Sequence, residues 1–233
     1  PGTYGDSVIP ANGFGLKQWD SSVAGPNLIR EATGFIDRHV EAGTGRPFFM
    51  HYCTESCHVP HTPPKTLAGK AVRGTAGDAH LDMLLEADIQ LGMLVARLKA
   101  HGILENTLIL FTSDNGGLKS NSMGGLSGKK GSLLEGGIRV PAILEWPRKI
   151  PVARNTSTPC NTSDFYPTLL ELAGADLPKD QPPLDGISLV SLIDDKAKIR
   201  EKAMGFWDFK APGRSRRATA MLEALRKEQQ AGQ

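Results

Sequence analysis

The sequence predicts an α/β fold, and three features of the chain lead to this prediction. Two short apolar segments, residues 47–53 and 107–112, have the length and composition of buried strands. A long helix is predicted between them, and a strand–helix–strand order favours a parallel sheet with right-handed crossovers. Polar clusters directly follow both strands, where open α/β sheets bind their ligands. We therefore expect part of a mostly parallel sheet flanked by helices.

The helices are predicted from apolar residues that recur every three or four positions. Residues 27–42 form the first helix, with the apolar positions Leu28, Ile29, Ala32, Phe35, Ile36 and Val40. Residues 79–101 form the second, with the apolar positions Leu81, Leu84, Leu85, Leu91, Leu94, Val95 and Leu98. Gly102 follows as its terminator. A third helix is predicted over residues 163–173, which include Leu169, Leu170 and Leu172.

A third strand is predicted over residues 139–146, where Pro141 indicates a sheet edge or the entry to a strand. Three strands are few for a chain of 233 residues with this α/β character. A sheet made only of them would leave apolar edges unpaired, which native proteins avoid. Because the chain also begins with Pro1 and shows no signal-like segment, we expect a processed product or a piece of a longer protein that contains the rest of the sheet.

Composition limits the class of partner. The net charge of +2 gives no reason to expect nucleic acid. No apolar run approaches the ~20 residues needed to span a bilayer, and three cysteines are too few, and odd in number, for a disulfide framework. We interpret residues 1–26 as a loop-like lead-in, residues 27–195 as the folded domain, and residues 196–233 as a polar tail with a helix over about 217–230.

The loop after the second strand contains Asp114 and Asn115, followed by two glycines. Their adjacent oxygens suit Ca²⁺ or Mg²⁺, and the glycines let the backbone turn sharply around such a site. The alternative is an ordinary turn after a strand, for which Asp-Asn-Gly-Gly is also typical. From this feature alone the turn is favoured.

The loop after the first strand, HYCTESCHVPHTPP over residues 51–64, is rich in histidine and cysteine. Cys53, Cys57, His58 and His61 are all zinc ligands by type, but their spacing does not resemble paired zinc knuckles. Three prolines also make the loop stiff and extended. An imidazole beside a strand end is better suited to contacting an anion or protonating a leaving group.

A third polar cluster, SGKKGSLLEGG, occupies residues 127–137. A lysine flanked by glycines can approach an oxyanion closely, with backbone N–H groups assisting. The segment is not a Walker P-loop, because the Gly-x4-Gly-Lys-Ser/Thr spacing is absent. Taken alone, this segment is weak evidence for an anion-binding site.

Taken together, the clusters are much more specific. In order, the chain contains PFFMHYCTESCHVPHTPP, LENTLILFTSDNGG, GKKGSLLEGGIRVPAILEWP, DFYPTLLELAGADLP and LDGISLVSLI. These blocks closely resemble the C-terminal half of the catalytic domain of the sulfatase family, within the alkaline-phosphatase-like superfamily. The resemblance extends from about residue 27 to about residue 193. It implies an alkaline-phosphatase-like sheet and a sulfuric ester hydrolase.

The resemblance implies a role for four residues. Asp114 and Asn115 match two ligands of the family's divalent cation, usually calcium, with magnesium as the alternative. His58 matches the histidine that contacts the sulfate or its bridging oxygen. Lys130 matches the lysine that binds sulfate and stabilises charge in the transition state. Lys129 stands where relatives usually have glycine, so the assignment between the two lysines is open.

The resemblance also implies a sulfated small molecule or carbohydrate as substrate. His61 is retained as a candidate substrate contact, although for His61 and His51 a structural role in the loop is favoured. Many relatives are exported to the periplasm, the lysosome or the extracellular space. The chain itself carries no signal that assigns a location.

The chain departs from the family pattern at the nucleophile, a formylglycine made from Cys or Ser in a Cys/Ser-x-Pro-x-Arg motif. Cys53, Cys57 and Cys160 all lack that context, and the paired aspartates of the family's first strand are missing too. A Ca²⁺ site needs about 6–8 oxygens, so we expect this chain to be inactive alone. The alternatives are a phosphate-ester hydrolase or transferase of the same superfamily, and a non-catalytic sulfatase-like remnant.

Overall fold

The computed structural model describes residues 20–118, 124–196 and 199–206. The chain divides into two compact units, Pro1–Thr107 and Leu108–Gln233, and each is described by itself. Most of the predicted lead-in, residues 1–19, and the predicted helix over 217–230 lie outside the described residues.

The first unit contains two long helices that pack on each other, α1 over Ala24–Glu41 and α2 over Ala79–Ala100. Both were predicted to within three residues at each end. In α1 the predicted apolar face is confirmed at Ile29, Ala32 and Ile36, which are buried, whereas Phe35 is exposed. Helix α2 begins after Asp78, whose carboxylate accepts a hydrogen bond from the Leu81 N–H at 2.9 Å and so caps the helix.

The buried face of α2 differs from the predicted one. Leu81 and Leu84 are 42% and 44% exposed. The buried residues of this helix are Asp82, Met83, Glu86, Ile89, Gln90 and Leu98, and of these only Leu98 was among the predicted positions. Apolar spacing shows which residues share a face, but only the neighbouring elements decide which face is covered. Here the covered face contains polar side chains that find hydrogen-bond partners in the unit.

A short antiparallel hairpin completes the core of the first unit. Strand β1, Thr66–Leu67, pairs with β2, Lys70–Ala71. The two turn residues between them have φ of 49° and 74°, as two-residue hairpins of the primed type require. The buried cluster of this unit consists of Ile29, Leu67, Val72 and Ile89. It therefore joins both long helices to the hairpin region.

The strand predicted over residues 47–53 is not part of any strand ladder within the described residues. The segment is not covered on both faces either, since Phe49 is 70% exposed. A strand requires a hydrogen-bonded partner, and apolar composition alone does not supply one. Because both described ladders are antiparallel, the mostly parallel sheet stays a prediction.

The second unit contains the other two predicted strands. Strand β3, Ile109–Thr112, pairs antiparallel with β4, Ala142–Glu145. Pro141 comes directly before β4, so it marks the strand entry that its missing N–H predicts. The one-turn helix α3, Glu135–Ile138, lies between the strands in the chain.

Two further helices follow, α4 over Phe165–Ala173 and α5 over Val190–Ile193. The first was predicted. It ends at Gly174, whose φ of 62° is the left-handed conformation that glycine adopts without strain.

Candidate functional site

Two backbone hydrogen bonds hold the loop after β3 against the lysine- and glycine-rich segment 127–137. The N–H of Gly116 donates to the carbonyl of Gly137 at 3.0 Å, and the N–H of Lys130 donates to the carbonyl of Gly117 at 2.8 Å. Two of the three predicted clusters are therefore in direct contact. The contact lies directly beside Asp114 and Asn115 in the chain.

This contact depends on glycine. A methyl group on Gly116 would lie 1.8 Å from the carbonyl oxygen of Gly136. One on Gly137 would lie 2.2 Å from the carbonyl oxygen of Ser132. A Cβ at Gly116 would push the loop after β3 away from the segment 127–137, whereas a Cβ at Gly137 would overlap the turn within that segment.

Asp114 is exposed and Asn115 is half-buried. Their side chains touch, because Asn115 Nδ2 donates to Asp114 Oδ2 at 2.5 Å. The Ser113 hydroxyl also donates to the Asn115 carbonyl at 3.1 Å, which tightens the turn. The pair presents carboxylate and amide oxygens, the ligand types that Ca²⁺ and Mg²⁺ prefer.

These two residues do not make a complete metal site. A Ca²⁺ ion takes about 6–8 oxygen ligands. Within the described part of the chain, no group of three or more His, Cys, Asp or Glu side chains could hold a metal ion. Asp114 and Asn115 therefore fit a part of a ligand set and not the whole of it.

Lys130 is half-buried, whereas Lys129 is exposed. The backbone turns sharply after them, since the Ser132 N–H donates to the Lys129 carbonyl at 3.0 Å. Lys130 is the lysine whose own N–H bonds to the loop after β3. The choice of Lys130 over Lys129 stays a prediction, and this contact is consistent with it.

His58 lies in the first unit on a tight turn. Its N–H donates to the carbonyl of Glu55 at 3.1 Å. The intervening Cys57 has a φ of 79°, which is uncommon for a residue with a Cβ. His58 Nδ1 lies 2.6 Å from the carbonyl of Val59. Because a carbonyl only accepts, Nδ1 carries the proton of that bond and Nε2 is left to exchange a proton with a ligand.

The segment before His58 is anchored on α2 by Gln90. The Gln90 Oε1 accepts hydrogen bonds from the hydroxyls of Tyr52 at 2.7 Å and Thr54 at 3.0 Å. On its other side, Gln90 Nε2 donates to Glu86 Oε1 at 3.0 Å. This hydrogen-bond network, whose members Glu86 and Gln90 are buried, was not predicted. Its signal in the sequence was polar residues at core-facing spacing on α2, beside Met83 and Ile89.

The remaining polar residues of loop 51–64 have other contacts. Burial, and then the charge of Glu86, raise the pKa of the Cys57 thiol to about 11, which keeps it protonated and unreactive near neutral pH. Cys53 Sγ is 3.3 Å from His51 Nε2. The ring of His61 packs edge-on against His80, with 5.1 Å between centroids. The structural interpretation of His61 is consistent with this packing.

His58 belongs to the first unit, while Asp114, Asn115 and Lys130 belong to the second. The structure brings the loop of Asp114 and Asn115 to the backbone of Lys130. The convergence of His58 with these residues stays a prediction.

Comparison with known families identifies the chain. A family model described as Sulfatase matches residues 21–175. The chain belongs to the sulfatase family. A second model, described as the C-terminal part of N-sulphoglucosamine sulphohydrolase, matches residues 128–224. The resemblance seen in the sequence motifs is thus confirmed.

Curated sulfatases match over most of this chain. Steryl-sulfatase of Mus musculus is 34% identical over 184 residues, covering 75% of this chain and 28% of that protein. Arylsulfatase A of Homo sapiens is 36% identical over 167 residues, covering 70% and 32% respectively. The chain therefore spans about a third of the length of these sulfatases.

Solved sulfatase structures share the fold. The crystal structure of Ps i-CgsB in complex with k-i-k-neocarrahexaose matches with a TM-score of 0.63 and 31% identity, over 82% of this chain and 42% of that one. The PsFucS1 sulfatase from Pseudoalteromonas sp. matches with a TM-score of 0.55 and 31% identity, over 71% and 32%. In the described residues of this sulfatase chain, no helix has the length and apolar character needed to cross a membrane.

Proposed function

We propose that this chain is the C-terminal part of an enzyme that hydrolyses sulfate esters with the help of a divalent metal ion. The observation that supports this most directly is the pair of backbone hydrogen bonds between the loop after β3 and the segment of Lys130. They bring an oxygen-donor pair and a cation into one neighbourhood, as a site for an anionic ester requires. Membership of the sulfatase family supports the choice of sulfate.

Lys130 is the proposed sulfate-binding cation. Its ammonium group would neutralise charge that develops on the sulfate oxygens in the transition state. The neighbouring glycines leave room for the ester to approach the backbone closely. The exposed Lys129 would contribute only to the general attraction of an anion.

His58 is the proposed proton donor. With Nδ1 donating to the Val59 carbonyl, the imidazolium form of His58, protonated on both nitrogens, would deliver the Nε2 proton to the departing alcohol and become neutral. His61, which packs on His80, would contact substrate only at the edge of the site.

Asp114 and Asn115 would supply two ligands of a calcium or magnesium site, and the other ligands would come from groups outside this pair. The bound ion would supply positive charge that polarises the ester oxygens. The turn held by Ser113 would keep the two donors adjacent.

The nucleophile is not encoded in this chain. No Cys/Ser-x-Pro-x-Arg sequence occurs in its 233 residues, and Cys57 is held as a thiol. We therefore propose that formylglycine is supplied by another part of the complete protein and that this chain alone does not turn over sulfate esters.

The substrate is proposed to be a sulfated small molecule or carbohydrate. The names of relatives point to both classes: steryl-sulfatase to a sterol, and N-acetylgalactosamine-6-sulfatase to an amino sugar.

The decisive experiment compares aryl sulfate and aryl phosphate as substrates of the complete protein. We expect turnover of the sulfate, and loss of that turnover in Lys130→Ala and His58→Ala. Preference for the phosphate would indicate a phosphate-ester enzyme of the superfamily. If neither ester is hydrolysed and the coding sequence upstream of Pro1 lacks the nucleophile motif, the chain is a non-catalytic sulfatase-like domain.

A further inference from the structure

Glu86 is a buried carboxyl group whose contacts lead toward His58. Glu86 is 1% exposed, and Gln90, one helical turn later, is also 1% exposed. Through Gln90, Glu86 is linked to the hydroxyls of Tyr52 and Thr54 on the segment that precedes His58. These contacts fix the first part of the loop to α2.

The carboxylate of Glu55, in the loop that contains His58, lies close to that of Glu86, and both approach Gly25 of α1. A methyl group on Gly25 of α1 would lie 1.9 Å from Oε1 of Glu86 and 2.7 Å from Oε1 of Glu55. Two ionised carboxylates that face one point repel each other, and a proton on one of them removes the repulsion. Burial, and then the charge of Glu55, accordingly raise the pKa of Glu86 to about 7.

Glu55 connects this pair to the imidazole. Its carbonyl accepts the His58 N–H at 3.1 Å across a turn of four residues. The turn contains the left-handed Cys57, and such a conformation persists only where its surroundings hold it. Movement of Glu55 would therefore move His58.

We infer that Glu86 is a positioning residue for His58, acting through Gln90 and Glu55 to hold the turn that presents the imidazole. This inference rests on the proposed function, in which His58 protonates the departing alcohol. Glu86 itself is not proposed to touch the substrate.

The groups around Glu86 determine how the turn that holds His58 responds to pH. The titratable groups that face Glu86 are Glu55, Tyr52 and Cys57 of the loop, while α1 approaches with Gly25. Burial, then the charges of Glu55 and Glu86, raise the pKa of Tyr52 above its ordinary value, and the pKa of Cys57 is raised to about 11. Neither of these two changes charge near neutrality, so Glu86 is the group that titrates there.

The direction in which stability changes with pH follows from the raised pKa of Glu86. Folded Glu86 keeps its proton up to about pH 7, whereas in the unfolded chain it loses the proton near its ordinary value of 4.5. Stability contributed by this group falls as pH rises from about 4.5 to about 7 and is constant above that range. The turn should therefore be held best on the acidic side of pH 7.

The test measures aryl sulfate turnover by the complete protein between about pH 5 and pH 9. The variants are Glu86→Ala, the conservative Glu86→Gln and the matched control Asp88→Asn, an exposed carboxylate on the same helix. We expect Glu86→Ala to lower kcat by about tenfold or more with KM within about twofold. Glu86→Gln should restore kcat and shift the decline of kcat with rising pH away from its wild-type position, because deprotonation of Glu86 no longer contributes to that decline. Asp88→Asn should match the wild type.

Hydrogen exchange of residues 52–58, corrected for intrinsic rates, gives a readout that needs no activity. We expect protection in the wild type to fall as pH rises from about 5 to about 7 and to level off above that range. Protection should be insensitive to pH in Glu86→Gln and low throughout in Glu86→Ala. Wild-type kcat and protection in Glu86→Ala would overturn the inference, as would a wild-type pH profile in Glu86→Gln. If no variant, including the wild type, turns over sulfate, the proposed function fails and exchange alone decides the positioning role.

Discussion

Arg200 and Asp164 form a bidentate ion pair in the interior of the second unit, with Nη1 to Oδ2 at 2.7 Å and Nη2 to Oδ1 at 2.9 Å. Their side chains are 5% and 0% exposed. The Asp164 carboxylate also accepts the N–H groups of Asn161 and Ile187, each at 2.8 Å. One carboxylate thus ties together the start of α4, the segment before α5 and the residues that follow position 198.

Removing the arginine should destabilise the protein strongly. Arg200→Met leaves Asp164 as a buried charge without its partner, and breaking such a pair costs about 3–5 kcal/mol. Urea unfolding measures the loss as a lower midpoint with unchanged slope. The control is Arg139→Met, which removes an exposed ion pair with Glu135 and should cost less than about 1 kcal/mol. Equal losses in the two variants would contradict the role given to Arg200.

The protein should lose stability as pH falls below about 4. Burial alone would raise the pKa of Asp164, but hydrogen bonds from Arg200 and from two backbone N–H groups outweigh it and hold the pKa below 3.8. The pKa of Asp82 is likewise lowered despite burial, by the N–H groups of Ala76, Gly74 and Thr75. A lowered folded pKa contributes stability above the unfolded pKa and loses it as pH falls through the folded value.

Thermal unfolding between about pH 2 and pH 6 tests this acid dependence. Asp82→Asn should be less stable at pH 6, because an amide NH₂ faces donors where the carboxylate accepted three N–H groups. The same variant should show a shallower fall of stability with acid. An acid profile identical to that of the wild type would show that Asp82 does not contribute to it.

Gly116→Ala should separate the two halves of the candidate site. The new methyl would lie 1.8 Å from the Gly136 carbonyl oxygen, and relief of that overlap should cost about 1–3 kcal/mol. Sulfate turnover of the complete protein should fall together with stability. The control is Gly92→Ala on α2, where the added methyl meets open space and should stabilise the helix by about 0.5–1 kcal/mol. Full activity in Gly116→Ala would show that the close approach is dispensable.

Lys130 and Lys129 provide a matched pair for the charge-stabilising role. In the complete protein, Lys130→Met should lower kcat by about a hundredfold or more, as loss of a transition-state donor does. Lys129→Met should change it by less than about tenfold, because that side chain is exposed. The reverse order would place the functional lysine one position earlier.

Asp114→Ala should abolish metal-dependent turnover in the complete protein. The wild type should lose activity in chelator and recover it with added Ca²⁺ or Mg²⁺. The matched variant is Asn115→Asp, which keeps an oxygen donor beside Asp114 and should retain metal dependence. Unchanged activity and metal response in Asp114→Ala would exclude this residue as a ligand.

The sequence by itself determined the family, three helices and two strands. These follow from local signals: the spacing of apolar residues, the terminator Gly102 after the second helix, and ordered motifs that need no tertiary information. Asp114, Asn115, Lys130 and His58 were identified as candidates from the same motifs.

Only the tertiary structure decided which side of α2 is buried, since Leu81 and Leu84 share the apolar spacing of a core face and yet are exposed. It also paired Arg200 with Asp164, 36 residues apart in the chain, and brought Glu86 to the loop of His58. Burial and long-range pairing depend on which surfaces meet in the folded protein, and the local spacing of residues does not determine those contacts. For the same reason the segment 47–53 has strand composition but no strand partner in the part of the chain that the structure describes.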